Sequence, residues 1–314
     1  MSLKPFVIVG LVAASCATWA APFAYVPNEG SGTLSIIDTA TDTVLAELPA
    51  GKKPRGTVVS LDGRTAYVSD QPNNQLVMLD LAARKLAGVI PLGESPEGLG
   101  LSADGRWIAA AVEETNEIVF VDTRTNKKVF AVKVRGKNPE HAIFSPDGKL
   151  VFVSAEEGSA VDVIDFAKRT QVAQVQGVGA RPRGIGFSPD GRRAYVAAET
   201  SSELSVIDTT TFSVVTKIAA GSRSNGIAVH PDGTRVFVSN GGDASVSVFD
   251  VASGAFTATI GVGQRPWNMA LTPDGSKLYV ACGRSGAVSV IDTARAVKLA
   301  DITVGKLPWG VVIR

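Results

Sequence analysis

The sequence predicts an all-β fold made of seven similar units, and three recurring motifs support this. The first is an Asp-Gly dipeptide spaced by 42 or 43 residues, with aspartates at Asp62, Asp104, Asp147, Asp190, Asp232 and Asp274. The second is an aspartate that ends an apolar run, at Asp38, Asp80, Asp122, Asp165, Asp208, Asp250 and Asp292. The third is a Gly-x-x-Pro turn, with Ser224 once in place of proline, that begins at Gly51, Gly93, Gly136, Gly179, Gly221, Gly263 and Gly305. A repeat of about 40–45 residues is typical of a β-propeller blade.

Each unit contains the pattern of four short strands. In the second unit they are TVVSL, TAYVSD, QLVMLDL and KLAGVIPLG, separated by turn-forming residues. Pro-Asp-Gly suits a tight turn, because proline presets φ, aspartate bonds the backbone and glycine adopts the left-handed conformation. We therefore interpret the aspartates of both repeated motifs as structural.

The motif counts also predict how the ring closes. Asp-Gly occurs six times and the other two motifs seven times, because the first unit begins directly at its second strand, Phe23–Asn28. The chain ends with Gly305–Arg314, GKLPWGVVIR, which resembles an innermost strand with no second strand after it. Pairing it with Phe23–Asn28 would remove two open sheet edges. The predicted fold is a seven-bladed β-propeller of four-stranded antiparallel blades, closed by the C-terminal strand.

The N-terminal segment Met1–Ala20 is typical of a signal peptide. Lys4 precedes an apolar run over residues 6–14, and the small residues Thr18 and Ala20 fit a cleavage site. The run is too short for a membrane helix, which needs about 20 apolar residues. We expect cleavage near Ala20, a single propeller domain over residues 21–314, no membrane span thereafter, and a periplasmic or secreted location. The alternative is a lipoprotein that keeps Cys16.

Composition excludes several classes of function. Loss of Lys4 with the signal peptide leaves 30 basic and 30 acidic residues, and a nucleic-acid binder usually shows a basic surplus. Only Cys282 then remains, so no disulfide framework is encoded, and no CxxC or CxxCH motif offers a haem or zinc site. We predict no cofactor and interpret Cys282 as a buried thiol, with its role open.

The second strands carry a resemblance to a known family. They read AYVPN, AYVSD, VFVSA, AYVAA, VFVSN and LYVAC, each followed by an apolar strand that ends in aspartate. Over residues 22–314 they resemble the YVTN β-propeller repeat, although Ile108–Val112, IAAAV, lacks the tyrosine. The layout is most similar to the propeller proteins associated with PQQ-dependent alcohol catabolism. That resemblance implies a quinoprotein dehydrogenase or transport components as partners.

The two ends of such a propeller differ in sequence. The Asp-Gly turns are uniform, whereas the turns before the first strands and between the second and third strands vary, so we expect a specific site at the varied end. The residue after the turn proline should point toward the channel mouth, and the next residue is His or Asn in two units. The predicted ring for ligand or partner binding is Arg55, Glu97, Glu140, His141, Arg183, Asn225, Trp267, Asn268 and Trp309.

Charge should divide this end of the molecule into an acidic arc on blades three to five and a basic sector near the closure. The basic sector would comprise Lys52, Lys53, Arg55, Arg265 and Arg284. Trp267 and Trp309 would form an apolar platform, pack on each other or plug the channel. His141 is a candidate metal ligand or general base, or merely bonds a neighbouring loop. His230, in an Asp-Gly turn, is expected to be structural.

Two functions from different classes are compatible with these features. The favoured one is a non-enzymatic binding module, accessory to the periplasmic quinoprotein alcohol-oxidation system that the resemblance implies. The alternative is a metal-dependent, lactonase-like hydrolase at the channel mouth. Glu97, Glu140 and Asn268, with Asn225, could supply oxygen ligands, but the nearby arginines would repel the ion. A quinone-binding dehydrogenase has no support, because the four tryptophans do not recur by blade.

Overall fold

The computed structural model describes residues 22–314, which form seven four-stranded antiparallel sheets. The predicted signal peptide, including Cys16, lies outside the described residues. Within residues 22–314 there are strands, turns and two short 3₁₀ helices, Gln71–Asn73 and Gly283–Ser285. No helix in this range is long and apolar enough to cross a bilayer. The predicted seven-bladed propeller is confirmed.

The strands follow the repeat. Blades one to four comprise β1 to β15, in chain order Phe23–Asn28, Thr33–Asp38, Thr43–Pro49, Pro54–Val59, Thr65–Asp70, Gln75–Asp80, Lys85–Pro91, Pro96–Leu101, Trp107–Val112, Glu117–Asp122, Lys127–Lys133, Pro139–Phe144, Leu150–Ala155, Ala160–Asp165 and Thr170–Gln176. Blades five to seven comprise β16 to β27, which are Pro182–Phe187, Arg193–Ala198, Glu203–Asp208, Ser213–Ala219, Ser224–Val229, Arg235–Asn240, Ser245–Asp250, Phe256–Gly261, Pro266–Leu271, Lys277–Cys282, Ala287–Asp292 and Val297–Thr303. The last strand, β28, is Val312–Ile313.

The core lies between neighbouring blades. The second and third strands are apolar at successive positions, and both of their faces are buried, whereas the outermost strands are largely exposed. Between blades one and two, for example, Tyr25 and Leu34 pack with Val68 and Leu79. Face-to-face packing of adjacent sheets explains why these strands read as continuous apolar runs rather than alternating ones.

The C-terminal strand closes the ring in the predicted way. β28 pairs antiparallel with β1, with Tyr25 opposite Val312. The backbone N–H groups of Phe23 and Arg314 donate to each other's carbonyls at 2.8 and 2.9 Å. This segment therefore supplies the innermost strand of blade one.

The Asp-Gly turns are self-contained. In blade two the Ser60 hydroxyl donates to Asp62 at 2.6 Å, and the Arg64 backbone N–H donates to the same oxygen at 3.1 Å. The turns of blades three, four, five and seven repeat this pattern with Ser or Thr. Blade six has His230 instead, which bonds Gly275 across the blade gap. The structural interpretation of these aspartates and of His230 is confirmed.

Candidate functional site

A break in each first strand directs side chains into the channel mouth. In blade two Pro54 pairs with Asp70, but the next ladder pair is Thr57 with Val68, so Arg55 and Gly56 fall in an irregular step. In the first strands of blades three to seven, the pairing register also shifts directly after the turn proline, or after Ser224 in blade six. Such irregularities release side chains from the ladder and re-aim them. The repeat thus places one variable residue per blade at the mouth.

These side chains line two cavities, which share Arg55, Asn268 and Trp309. The mouth cavity, of about 290 Å³, is lined among others by Arg55, Glu140, Arg183, Asn225, Trp267, Asn268 and Trp309. The channel cavity beneath it, of about 150 Å³, is lined by Arg55, His141, Asn268 and Trp309 together with apolar and glycine residues. Of the predicted ring, only Glu97 lines neither cavity; it is buried behind Arg55. The structure therefore brings the predicted ring together.

Glu199 is the centre of a charged network on blades four to seven. Its carboxylate is 2.9 Å from Arg183 Nε, 2.8 Å from Arg223 Nη2 and 2.9 Å from Arg265 Nη2. Burial alone would raise the pKa of Glu199, but Arg183 and Arg265 outweigh it and lower the pKa to about 2. Glu199 is therefore ionised at any physiological pH.

Arg183 is held on three sides. Besides Glu199, it meets Glu140 at 2.7 Å and Glu156 at 3.1 Å. Burial opposes ionisation of Glu140, but Arg183 and His141 lower its pKa overall. Since every donor edge of Arg183 faces a carboxylate, this residue mainly organises the mouth.

Arg55 differs from Arg183 because it keeps a free donor. Its Nη1 donates to Glu97 at 2.5 Å and its Nη2 to Glu29 at 3.3 Å, but its buried Nε has no hydrogen-bond partner among the described residues. Burial and the neighbouring Glu140 raise the pKa of Glu97 to about 8, although Arg55 pulls in the opposite direction. Glu97 is thus largely protonated at neutral pH.

His141 and Trp309 meet across the channel. Their rings stack with centroids 5.3 Å apart and an interplanar angle of 19°, so Trp309 of the C-terminal segment reaches blade four. It does not pack on Trp267, whose ring lies under Arg265 instead. Burial lowers the pKa of His141, which keeps the imidazole neutral, and its Nδ1 has no partner within residues 22–314.

The predicted separation of charge into an acidic arc and a basic sector is wrong. Arg265, on blade seven, extends to Glu199 on blade five, and Arg55 lies between two glutamates. The mouth is lined by alternating charges because each buried carboxylate needs a nearby cation.

Sequence reasoning missed Arg181 and Arg223. Arg181, on the mouth cavity, pairs with Glu156, and Arg223 pairs with Glu199. One repeat position, directly before the turn proline or Ser224, holds an arginine in blades five, six and seven. These are Arg181, Arg223 and Arg265, with φ of 59°, 56° and 56°. Left-handed φ is uncommon for arginine. Three successive arginines at one repeat position are the signal that could have found them.

The predicted metal ligands do not form a metal site. In the described range, 22–314, no three His, Cys, Asp or Glu side chains are grouped to hold a metal ion. Glu97 and Glu140, proposed as ligands, are bonded to Arg55 and Arg183. Cys282 is buried, and burial raises the pKa of its thiol.

Comparisons with known proteins agree with the fold and add one partial match to a family model. A family model described as "Lactonase, 7-bladed beta-propeller" matches residues 168–303, which is under half of the chain. No curated protein matches.

Among solved structures, a putative 6-phosphogluconolactonase from Bacteroides uniformis ATCC 8492 is 20% identical with a TM-score of 0.78, covering 94% of this chain and 100% of its own. One from Bacteroides fragilis NCTC 9343 is 19% identical with a TM-score of 0.79, covering 95% and 99%. Kuenenia stuttgartiensis hydrazine synthase is 22% identical with a TM-score of 0.74, covering 82% and 88%. At these identities the likeness establishes the propeller fold.

These findings correct the favoured functional prediction. The chain was expected to be a non-enzymatic binding module accessory to a quinoprotein system, but the lactonase model favours the alternative, a lactonase-like hydrolase. Within residues 22–314, Arg55 Nε and His141 Nδ1 have no hydrogen-bond partner, and both side chains line one cavity. The YVTN-type assignment, export and the partner proteins have no test in these comparisons and stay predictions.

Proposed function

We propose that this propeller is a hydrolase that opens a lactone ring at the channel mouth. The observation that carries the proposal is that Arg55 and His141 each hold a buried nitrogen without a hydrogen-bond partner among residues 22–314. Arg55 Nε is a permanent hydrogen-bond donor, and the neutral His141 ring offers a basic nitrogen, and both side chains line the channel cavity. Buried polar atoms without partners are rare, and a bound substrate is one way to satisfy them.

The chemistry of ring opening uses both atoms. His141 takes a proton from water as the water oxygen bonds to the lactone carbonyl carbon. Arg55 Nε–H donates to the carbonyl oxygen, which becomes negative in the tetrahedral intermediate. The ring C–O bond then breaks, and His141 returns the proton to the departing ring oxygen. The product is an open-chain hydroxy acid, and no metal is required for any step.

The tryptophans supply the apolar part of the site. Trp309 holds the His141 ring by stacking, and Trp267 lines the mouth above it. A flat sugar-like ring packs well on such faces. Leu99, Ile143 and Ile185 form the apolar wall of the channel cavity, and burial there keeps the His141 imidazole unprotonated before water binds.

An arginine nitrogen without a partner favours a lactone that carries a negative group. The charges that line the mouth otherwise balance, because Arg55, Arg181, Arg183 and Arg265 accompany Glu29, Glu113, Glu140 and Glu156. Arg265 Nη1, at the mouth, is buried without a partner in the described part of the chain. The solved neighbours described as putative 6-phosphogluconolactonases are consistent with such a substrate. We also propose that the enzyme acts after export, since Met1–Ala20 resembles a signal peptide.

The test is hydrolysis of lactones by the mature chain, followed with a pH indicator after subtraction of the buffer rate. Two probes are compared, neutral glucono-δ-lactone and a lactone with a phosphate on its side chain. We expect turnover of the phosphorylated lactone with the higher kcat/KM. His141→Gln should lower kcat by about 10²–10⁴-fold, the usual contribution of a general base.

His230→Gln is the matched control, because His230 is equally buried but lies in an Asp-Gly turn at the other end of the molecule. It should leave kcat unchanged. A His141→Gln enzyme with wild-type kcat, or no lactone hydrolysis above the buffer rate by the wild type, would overturn the proposal.

A further inference from the structure

The gap between blades three and four is unlike the other blade gaps at the Asp-Gly end. In most gaps the residue before Asp-Gly covers the glycine of the next blade's turn. A methyl group placed on Gly105 would meet Leu61 at 2.5 Å, one on Gly191 would meet Pro146 at 3.6 Å, and one on Gly233 would meet Pro189 at 3.3 Å. The turns therefore seal the gaps between blades.

Blade three breaks this pattern. It carries Ala103 where blades four to seven carry proline. A methyl group on Gly148, the glycine of the next turn, would meet no atom within 4 Å. Because alanine is too short to reach across, a cavity of about 250 Å³ opens between the two turns.

The cavity is walled by aromatic side chains at repeat positions that are seldom aromatic in the other blades. Trp107 stands where blade one has Phe23 and the others have Thr, Leu, Arg or Lys, and Phe166 stands where they have Thr, Leu or Val. With Phe144 they line the cavity. The ring centroids of Trp107 and Phe144 each lie 5.4 Å from that of Phe166. The lost proline and the two added aromatics thus occur in the same gap.

The rim of the cavity is acidic. The charged side chains that line it are Asp104 and Asp147. The bonds that Asp104 accepts within its turn, from Ser102 and the Arg106 backbone, both use Oδ1, which leaves Oδ2 for a ligand. Asp147 Oδ2 lies 3.0 Å from Lys149, whose side chain is 81% exposed, and such exposed pairs are weak.

Arg106, which follows the turn of blade three, is directed away from this rim. Arg106 lies over the Trp107 ring, with its guanidinium carbon 5.0 Å from the ring centroid, and donates to Asp122 at 3.0 and 3.1 Å. It is therefore committed to another carboxylate. The cavity combines aromatic walls with carboxylates at its opening, the arrangement that binds organic ammonium ions through cation–π and charge attraction.

We infer that the gap between blades three and four is a second ligand site, which binds a small organic cation with a flat apolar group, of about the size of benzylammonium. The apolar group would pack against Phe144 and Phe166, and the ammonium would face Asp104 and Asp147. The volume suits such a ligand, because an apolar cavity of about 150 Å³ already accepts benzene. The site is independent of the channel mouth, which opens at the opposite end of the propeller.

Benzyltrimethylammonium is a suitable probe, with benzyl alcohol as the neutral comparison, and binding is followed by calorimetry and by chemical-shift changes of the Trp107 indole. We expect the cation to bind at least tenfold tighter than the alcohol. Ala103→Pro restores the proline of the repeat and should weaken cation binding at least tenfold without lowering Tm. Trp107→Leu removes an aromatic wall without touching the turn, and it should also weaken cation binding. It is the second test if Ala103→Pro alters the turn in another way.

The contribution of charge is tested by Asp104→Asn. The asparagine oxygen can still accept the hydrogen bonds of the turn, but the negative charge is gone, so cation binding should weaken several-fold. Asp190→Asn, in the equivalent turn of blade five, is the control and should have no effect. Equal affinity for cation and alcohol, wild-type affinity in Ala103→Pro, or no binding by the wild type would each overturn the inference. Lactone hydrolysis should be unchanged in Ala103→Pro, so the outcome does not depend on the proposed function.

Discussion

The carboxylates at the two ends of the propeller are held in different ways. At the Asp-Gly end, Asp190 is bonded within its own turn, by the Ser188 hydroxyl and the Arg192 backbone N–H. At the mouth, Glu199 is held by Arg223 and Arg265, which lie 24 and 66 residues further along the chain. One end therefore depends on local hydrogen bonds, and the other on charges that meet only when several blades are assembled.

This difference explains what could be predicted from sequence. The turn aspartates were predictable because their partners lie within three residues. The strand pattern and the closure by Gly305–Arg314 were also predictable, because the repeat constrains the same backbone seven times. The positions that line the mouth were predictable as well, because they recur at the same place in each repeat.

The contacts at the mouth were not predictable. The Arg265–Glu199 pair and the stacking of Trp309 on His141 depend on side-chain lengths and on distances across the channel, which the repeat does not encode. The cavity beside Ala103 was missed for a related reason. A uniform motif at that end of the molecule suggested that nothing specific would bind there, although the short Ala103 before the Asp-Gly of blade three was visible in the sequence.

The largest expected effect comes from removing the segment that closes the mouth end of blade one. Deletion of Leu307–Arg314 removes β28 and Trp309 and exposes the edge of β1. A few hundred Å² of lost burial at roughly 25 cal/mol per Å² amounts to several kcal/mol, against a total stability of about 5–15 kcal/mol. We expect the truncated protein to melt far below the full chain in calorimetry. Equal melting temperatures would refute closure by this strand.

Glu199→Gln should destabilise the protein next most strongly. A pKa of about 2 in the folded state lies well below the unfolded value, so ionised Glu199 stabilises the fold above pH 4.5, and this contribution is lost as pH falls toward 2. At about 1.4 kcal/mol per pKa unit, the loss at pH 7 is roughly 3 kcal/mol. Urea unfolding measures it. Asp190→Asn, at the other end, should leave the urea midpoint nearly unchanged, and equal losses in the two variants would remove the contrast between the ends.

Glu97→Gln should change the stability in the opposite direction, and only at high pH. Since the pKa of Glu97 is about 8, the folded protein holds a proton that the unfolded chain has released, and wild-type stability falls as pH rises from 4.5 to 8. Glutamine has no such titration. The variant should match the wild type at pH 5 and exceed it at pH 9, by roughly 2–4 kcal/mol. A stability difference that is constant with pH would mean that Glu97 titrates normally.

The pH dependence of lactone hydrolysis tests most directly whether the mouth is a catalytic site that depends on a neutral histidine. Burial lowers the pKa of His141 below 6.5, so kcat/KM of the wild type should rise with pH at acid pH and level off below pH 6.5. His141→Gln should abolish this rise, and His230→Gln should retain it. A rise centred near pH 8, the pKa of Glu97, and unaffected by His141→Gln would contradict the account.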